Sequence, residues 1–179
     1  MSASETPSPS SGSPFWRFSL RFYRQPEVAD ACIVLQEQAG VDVNLLLFLL
    51  WHATQKRALS QADVAELERR IAPWRNMTVI PLRTMRRALK SPPTLVAGAS
   101  AELFRTKIKA VELEAERLQQ EAMHELASPS LLGVEASSLE DAARANVAAY
   151  AAMCDGAFPQ PAIETLLAAL AGRGRKLEE

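Results

Sequence analysis

The segment VDVNLLLFLLWHA, residues 41–53, is the most apolar part of this 179-residue chain and decides its fold. Asp42 stands where a helix N-cap is expected, directly before residues that favour helix. Residues 45–50 are apolar on every face, and a helix without a solvated side lies in a protein core or in a membrane. The run is shorter than the roughly 18–20 residues that cross a bilayer. We therefore predict a buried central helix, around which the other helices pack.

Three side chains of this helix are candidate site residues. Asn44 lies inside the apolar run, and a buried amide costs free energy unless its donors and its acceptor are paired. The pattern favours a structural hydrogen bond to a neighbouring helix over contact with a ligand. Trp51 and His52 close the helix, and a single His beside a Trp is more often a helix-end residue than a catalyst.

Composition indicates one globular domain in a reducing compartment. The length suits a single domain, and an apolar content of 48% is ordinary for a globular protein. The only cysteines, Cys32 and Cys154, form no CxxC pattern, which argues against a disulfide framework or a structural zinc site. The formal net charge of -1 gives no overall basic field for nucleic acid or an acidic membrane. We expect a cytoplasmic protein that does not act on a membrane.

The chain divides into a lead-in, one domain and a tail. Residues 1–13 are rich in Ser and Pro and lack the basic and apolar regions of a signal peptide, so we predict a disordered lead-in. Residues 14–172 form the predicted domain, and residues 173–179 form a frayed polar tail. No segment shows the period-two alternation of a strand. The predicted fold is all-α, a single-domain bundle of six or seven helices around the central helix.

Capping residues and prolines set the predicted helix boundaries. Helix starts are expected at Ser13-Pro14, Pro26-Glu27, Asp42, Ser60 with Asp63, and Ser137 or Ser138. Gly40 is a C-cap signal, and its position just before the central helix predicts a tight helical hairpin. The fourth helix is expected to stop near Pro73, and Pro81 either begins a new helix or kinks a longer one. Asn146 and Tyr150 lie one helical turn apart and are expected to hydrogen-bond inward.

The densest positive patch follows Pro81. Its members lie at i, i+3, i+4 and i+7 and share one helix face: Arg83, Arg86, Arg87 and Lys90. Arginines placed in this way can clamp a carboxylate or a phosphate, or meet an acidic protein surface. The alternative is a solvated face that is ion-paired to glutamates elsewhere, which is common in helical bundles.

The longest predicted helix opens at Ser100 and Glu102 and runs to about Leu126. Its apolar residues alternate spacings of four and three, as in a coiled coil: Phe104, Ile108, Val111, Ala115, Leu118 and Ala122. We expect this stripe to pack on the bundle. The other face carries the carboxylates Glu112 and Glu116, which we interpret as solvated helix residues.

Motifs for catalysis or metal binding are sparse. Glu121-Ala-Met-His124 is the Glu-x-x-His half of a di-iron site, but the only other histidine, His52, has no Asp or Glu three residues before it. A zinc site lacks His and Cys ligands, and neither a glycine-rich phosphate loop nor a nucleophile elbow occurs. We predict no metal and no cofactor. A non-enzymatic protein is favoured, while an acid–base enzyme stays open.

A set of short motifs lies between Phe15 and Leu126. Its members are Phe15-Trp16, Tyr23, Pro26, Ala31-Cys32, Leu35-Gln36, Asp42-Val43-Asn44-Leu45-Leu46-Leu47 with Trp51, Trp74, Pro81-Leu82-Arg83, Arg86-Arg87, Ile108, Glu112-Leu113, Ala115-Glu116 and Gln119. The set resembles a small uncharacterised family of proteobacterial proteins of about this size, most specifically in the DVNLLL stretch. The resemblance implies a helical fold and no particular activity.

Three functional hypotheses remain. The leading one is a cytoplasmic interaction or adaptor protein that binds an unknown protein partner through Arg83, Arg86 and Arg87. The competing one is a pocket for a small anionic ligand, or an enzyme site, where five side chains converge: Asn44, Trp51, His52, Arg83 and Glu112. The weakest is nucleic-acid binding, which is disfavoured by the net charge and would use the second arginine cluster together with the stripe of the first helix: Arg17, Arg21 and Arg24.

Overall fold

Helices make up nearly all of the part of the chain that the computed structural model describes, residues 12–93, 95–127, 132–154 and 157–174. They are α1 (Pro14–Tyr23), α2 (Val28–Ala39), α3 (Val43–Thr54), α4 (Gln61–Trp74), α5 (Ile80–Ala88), α6 (Gly98–Ala127), α7 (Leu139–Ala151) and α8 (Gln160–Gly174). A π-helical segment, Arg75–Val79, joins α4 to α5 without a break, so these ranges contain seven continuous helices. The all-α prediction is confirmed. Residues 1–11 of the predicted lead-in and 175–179 of the predicted tail lie outside the described residues.

Helix α3 is the buried centre of the bundle, as predicted. Asp42 caps it, because its Oδ1 accepts from the N–H groups of Asn44 at 2.8 Å and Leu45 at 3.4 Å. Nine of the twelve residues of α3 are buried. The helix contacts α1, α2, α6, α7 and α8, which cover it from all sides. Within the described ranges, no helix is long and apolar enough to cross a membrane.

The predicted caps at Ser13, Ser60 and Ser138 are also confirmed. The start predicted at Pro26-Glu27 differs, because α2 begins at Val28 and the Glu27 side chain makes no capping hydrogen bond. Ser13 Oγ accepts from the Trp16 N–H, and Ser60 forms a reciprocal capping box with Asp63. Gly40 ends α2 with a φ of 65°, in the left-handed region that glycine adopts without strain, and this makes the tight turn into α3 possible.

Helix α4 was predicted to stop near Pro73, and this prediction was wrong. The helix continues into the π segment, where the Ile80 N–H donates to the Arg75 carbonyl five residues earlier. A proline inside a helix costs about 3 kcal/mol, because one backbone hydrogen bond is lost. A tertiary contact just beyond Pro73 opposes this cost: Trp74 Nε1 donates to the Ala115 carbonyl of α6 at 3.0 Å. The contact with α6 therefore keeps the chain helical on the C-terminal side of Pro73.

A two-stranded antiparallel sheet, β1 (Arg57–Ala58) with β2 (Val134–Glu135), closes one end of the bundle. The sequence does not predict this sheet, because two residues are too few to show alternation. Asn146 of α7 fixes this end, since its Nδ2 donates to the Leu49 carbonyl at 2.9 Å and its Oδ1 accepts from the Leu59 N–H at 2.6 Å. The inward hydrogen bonding predicted for Asn146 is confirmed. That of Tyr150 is also confirmed, because its hydroxyl accepts from the backbone N–H that precedes α3 at 2.9 Å.

The buried face of α6 differs from the predicted apolar stripe. Its buried residues are Ala101, Glu112, Ala115, Gln119, Gln120 and Met123. Phe104, Val111 and Leu118 of the predicted stripe are exposed instead. The expectation that Glu112 is solvated was wrong. Charged and amide groups on α5 and at the start of α3 pair with the polar side of α6, so this side turns inward and the apolar stripe is left outside.

The π segment, α5 and the first two-thirds of α6 form a hairpin, residues 75–118. Its helices run antiparallel, because Arg83 pairs with Glu116 while Arg86 pairs with Glu112. No residue of α5 is buried. Within the hairpin, α5 is therefore held to α6 by paired polar side chains more than by apolar packing.

Candidate functional site

A row of polar side chains on α6 faces α3 and α5. We call this row the polar seam; its members are Glu112, Glu116, Gln119 and Gln120. Their spacing of i, i+4, i+7 and i+8 places them on one side of the helix. Glu112, Gln119 and Gln120 are buried, which is rare for such residue types unless they are paired.

Two arginines of α5 bind the first half of the seam. Arg86 donates to both carboxylate oxygens of Glu112, with Nη2 lying 3.1 Å from Oε1. Arg83 donates from Nε to Glu112 at 3.2 Å, from Nη2 to Glu116 at 2.6 Å and from Nη1 to Gln36 at 3.0 Å. Both guanidinium groups are thereby occupied by acceptors from the protein itself.

The two glutamates of the seam have opposite pKa shifts. Burial raises the pKa of Glu112, but the hydrogen bonds from Arg86 and Arg83 outweigh burial and hold the pKa below its usual value. Glu116 has a raised pKa, chiefly because of burial, and the charges of Glu112 and Asp42 add to this rise while Arg83 opposes it. A proton taken up by the seam therefore goes to Glu116 before Glu112.

The second half of the seam binds the start of α3. Asp42 Oδ2 accepts from Gln119 Nε2 and from Arg75 Nη1, both at 3.0 Å. Gln120 Nε2 donates to Asn44 Oδ1 at 2.7 Å. Asn44 therefore forms a structural hydrogen bond to a neighbouring helix, as its position in the sequence predicts.

Two acceptors of the seam have no partner. The Oε1 atoms of Gln119 and Gln120 are buried, and no donor among the described residues reaches them. Their amides cannot be reversed without losing the bonds to Asp42 and Asn44. The buried unpaired atoms of the seam are therefore acceptors, which suit an N–H or O–H group better than an anion.

Trp51 and His52 lie in a separate aromatic cluster at the far end of α3. The ring centroids of Trp51 and His52 are 5.1 Å apart, and those of Trp51 and His124 are 5.5 Å apart. Both histidines of the chain thus contact one indole. Burial, helped by the charge of Arg57 and by His124, lowers the pKa of His52 to about 4. Neither ring nitrogen of His52 has a hydrogen-bond partner among the described residues.

The candidate residues from the sequence therefore fall into three places. Arg83, Arg86 and Glu112 meet in the seam, and Asn44 joins the same row through Gln120. Trp51 and His52 lie in the aromatic cluster. Arg87 points outward, half-exposed, with Glu37 at 3.6 Å. The seam roles of Arg75, Gln119 and Gln120 were not predicted, although the i, i+4, i+7, i+8 spacing on α6 is a signal for the two glutamines.

Exposed apolar side chains concentrate on the hairpin. Thirteen large apolar residues of the described chain are exposed, and ten of them lie between residues 77 and 118. The ten are Met77, Ile80, Met85, Leu95, Val96, Leu103, Phe104, Val111, Leu113 and Leu118. Concentrations of this kind are typical of interaction surfaces, whereas single scattered apolar residues need no explanation.

Comparison with known proteins places the seam and the hairpin inside a recognised domain. A family model described as "Protein of unknown function (DUF2390)" matches residues 14–123, which is more than half of the chain. No curated protein and no solved structure matches the chain. Across the described residues, no group of three or more His, Cys, Asp and Glu side chains is arranged to hold a metal ion.

Proposed function

The chain belongs to the DUF2390 family of proteins of unknown function, and from this premise we propose that it is an interaction protein that binds a partner protein through the tip of its hairpin. The concentration of exposed apolar side chains on the hairpin supports this proposal most strongly. We define the hairpin tip as Arg87, Lys90, Leu95, Val96 and Leu103. Leu95 is 94% exposed and Leu103 is 70% exposed, more than any other large apolar residue here except Met77.

The charge of the hairpin indicates the chemistry of the partner. Residues 87–109 contain five basic residues and one acidic residue, in a chain whose formal net charge is -1. A surface that combines apolar contacts with excess positive charge is complementary to an acidic protein surface with apolar side chains. The partner that fits the tip is therefore an acidic protein or an acidic segment of one.

The interaction surface differs from the arginine face that the sequence suggested. Arg83 and Arg86 are bound to Glu112 and Glu116, so a partner that used them would have to break the seam. Arg87 and Lys90 lie on the outer side, where they are exposed. Arg87 is the one residue of these three arginines that can meet a partner while α5 stays attached to α6.

The alternative of a small anionic ligand has less support. Within the seam, each of Arg75, Arg83 and Arg86 is already bound to carboxylates of the chain. The unpaired atoms of Gln119 and Gln120 are acceptors, which an anion cannot satisfy. A cytoplasmic location belongs to the same proposal and is supported by the two cysteines without a CxxC pattern.

Photocrosslinking in the native cell tests the proposal at a single position. The photoreactive residue p-benzoylphenylalanine replaces Leu103 at the tip, and in a control it replaces Val134 in β2, where exposure is 69% against 70%. We expect a discrete adduct at position 103 and none at position 134. The changes Arg87→Glu and Lys90→Glu should together lower the adduct yield about tenfold, because they reverse the charge that attracts an acidic partner.

Two results would overturn the proposal. Equal adducts at positions 103 and 134 would mean that exposure alone, and not the hairpin tip, determines crosslinking. A tip adduct whose yield is unchanged by Arg87→Glu with Lys90→Glu would exclude an acidic partner. A thermal melt of each variant shows that the fold is kept, since surface changes of this kind alter stability by less than about 0.5 kcal/mol.

A further inference from the structure

A line of exposed apolar residues runs along the outer side of α6. Phe104, Val111 and Leu118 are spaced seven residues apart, and their exposures are 50%, 53% and 43%. A seven-residue spacing keeps apolar side chains on one side of a helix over many turns. We call these three residues the α6 stripe. They are the residues that the sequence pattern assigns to helix–helix packing and that the bundle itself does not cover.

The rest of the bundle occupies a different side of α6. Glu112 and Gln119 face α5 and α3, and Ala115 accepts from Trp74 through its carbonyl. The stripe is therefore free to meet a second helix while the seam stays intact. It lies in the middle of a 30-residue helix, which at 1.5 Å per residue is roughly 45 Å long.

We propose that two copies of the chain pair antiparallel through their α6 stripes, crossing near Val111. A two-fold interface brings the same patch of each copy together, so the patch has to be complementary to itself. The stripe meets this condition, because an apolar residue lies seven positions before Val111 and another lies seven positions after it. Phe104 of each copy then lies beside Leu118 of the other.

The charges beside the stripe fit the same arrangement. Lys107 precedes Val111 by four residues and Glu114 follows it by three, and both lie on the solvent side of the stripe. Antiparallel pairing brings Lys107 of each copy near Glu114 of the other, so two opposite-charge contacts form. In its own chain Glu114 binds Arg117 at 2.6 Å in a partly exposed i,i+3 pair, and such surface pairs contribute little, so sharing the carboxylate costs little.

A parallel pair does not use these charges. In parallel coiled coils the charged partners come from the two opposite flanks of the stripe. One flank here carries Lys107 and Glu114, but the matching positions on the other flank are Ile108 and Ala115, which carry no charge. Charge complementarity therefore selects the antiparallel second copy as the occupant of the stripe.

Charge reversal and rescue in the full chain test the pairing. Molar mass is measured by light scattering during size-exclusion chromatography up to about 100 µM protein. We expect a concentration-dependent dimer, which Lys107→Glu or Glu114→Lys alone weakens about tenfold. The two changes together should restore the dimer to within about twofold, because each copy again faces an opposite charge. Lys109→Glu, on the same helix away from the stripe, is the matched control and should leave the dimer unchanged.

Three outcomes would overturn the pairing. They are a monomer at every concentration, no rescue in the double variant, and an equal effect of Lys109→Glu. Misfolding cannot explain a restored dimer in the double variant, because that variant carries both substitutions. The pairing goes beyond the proposed function and fails independently of it: a monomer that still crosslinks another protein through position 103 would remove the second copy and keep the interaction role.

Discussion

Helix α3 and the hairpin show two ways in which one chain attaches a helix to its bundle. In α3 the side chains from Leu45 to Leu50 are all buried, and the helix is held by apolar contact on every side. In α5 no residue is buried, and Arg83 and Arg86 hold it to α6 through carboxylates. Apolar burial is not directional, whereas paired charges work only in one register.

This difference determines which helix faces stabilise the core and which remain exposed. A helix that is apolar all round must be buried completely, so α3 leaves no apolar side free for a partner. A helix that turns its polar side inward keeps its apolar side for contacts outside the domain. In α6 the inward side carries Glu112 and Gln119, and the outward side carries Phe104 and Val111. The hairpin therefore carries exposed apolar side chains while the core around α3 stays covered.

The largest expected effect compares the same substitution in the two regions. Phe48→Ala in α3 should lower the free energy of unfolding by about 3–5 kcal/mol, because the ring is fully buried and leaves a cavity. Phe104→Ala in α6 should lower it by less than about 0.5 kcal/mol, since the ring is half-exposed. Urea denaturation of both variants at one temperature and pH gives the comparison.

An equal loss in the two variants would break the contrast. It would mean that the α6 stripe is buried in solution, either in the core or in a dimer. The protein concentration distinguishes these cases, because a dimer contact stabilises the fold only at concentrations at which the dimer forms.

Periodicity predicted the fold because most of it depends on local patterns. An apolar run after Asp42 is sufficient for a buried helix, and caps such as Ser60 and Gly40 act within a few residues of themselves. The two-residue strands were too short to give a pattern. The prediction at Pro73 was wrong because the contact that keeps its helix intact comes from Ala115, 41 residues away from Trp74 in the chain.

The seam was only partly predictable for a related reason. The pattern of α6 shows two faces, one apolar and one polar, and burial normally favours the apolar one. Which face turns inward depends on the groups opposite, and Arg83 lies 29 residues from Glu112 in the chain. The arginines and Glu112 were each recognised as candidates, but their pairing required the register of α5 against α6.

The second largest effect concerns the protonation of His52 at the far end of α3. Its folded pKa of about 4 lies below the unfolded value of 6.5, because the ring is buried and lies near Arg57 and His124. The folded state therefore binds the proton less readily than the unfolded state. The stability contribution is complete above pH 6.5 and is lost as pH falls toward 4. Between pH 7 and pH 5 the loss should be about 2 kcal/mol.

The variant His52→Leu isolates this effect, because it cannot take up the proton. Urea denaturation at pH 7 and pH 5 should show a pH dependence about 2 kcal/mol smaller in the variant than in the natural chain. His124→Leu removes the neighbouring histidine and is the control for the second ring at Trp51. If His52→Leu retains the full pH dependence, the core around α3 does not exclude the charged ring. The difference between an apolar core around α3 and paired charges in the hairpin would then not hold.

The smallest expected effect tests the seam itself. Glu112→Gln removes the carboxylate that binds Arg83 and Arg86 and should lower the free energy of unfolding by about 1–2 kcal/mol, because both guanidinium groups lose a charged acceptor. Glu114→Gln, two residues later on the exposed side, should cost less than about 0.5 kcal/mol. Because the pKa of Glu112 is held below its usual value, its contribution is present above the unfolded pKa of 4.5 and is lost as pH falls. The difference in unfolding free energy between Glu112→Gln and Glu114→Gln, measured by urea denaturation, should therefore shrink as pH falls below 4.5. Equal losses in the two variants at pH 7 would mean that the arginines of α5 find other acceptors, and that α5 is held to α6 through apolar contacts.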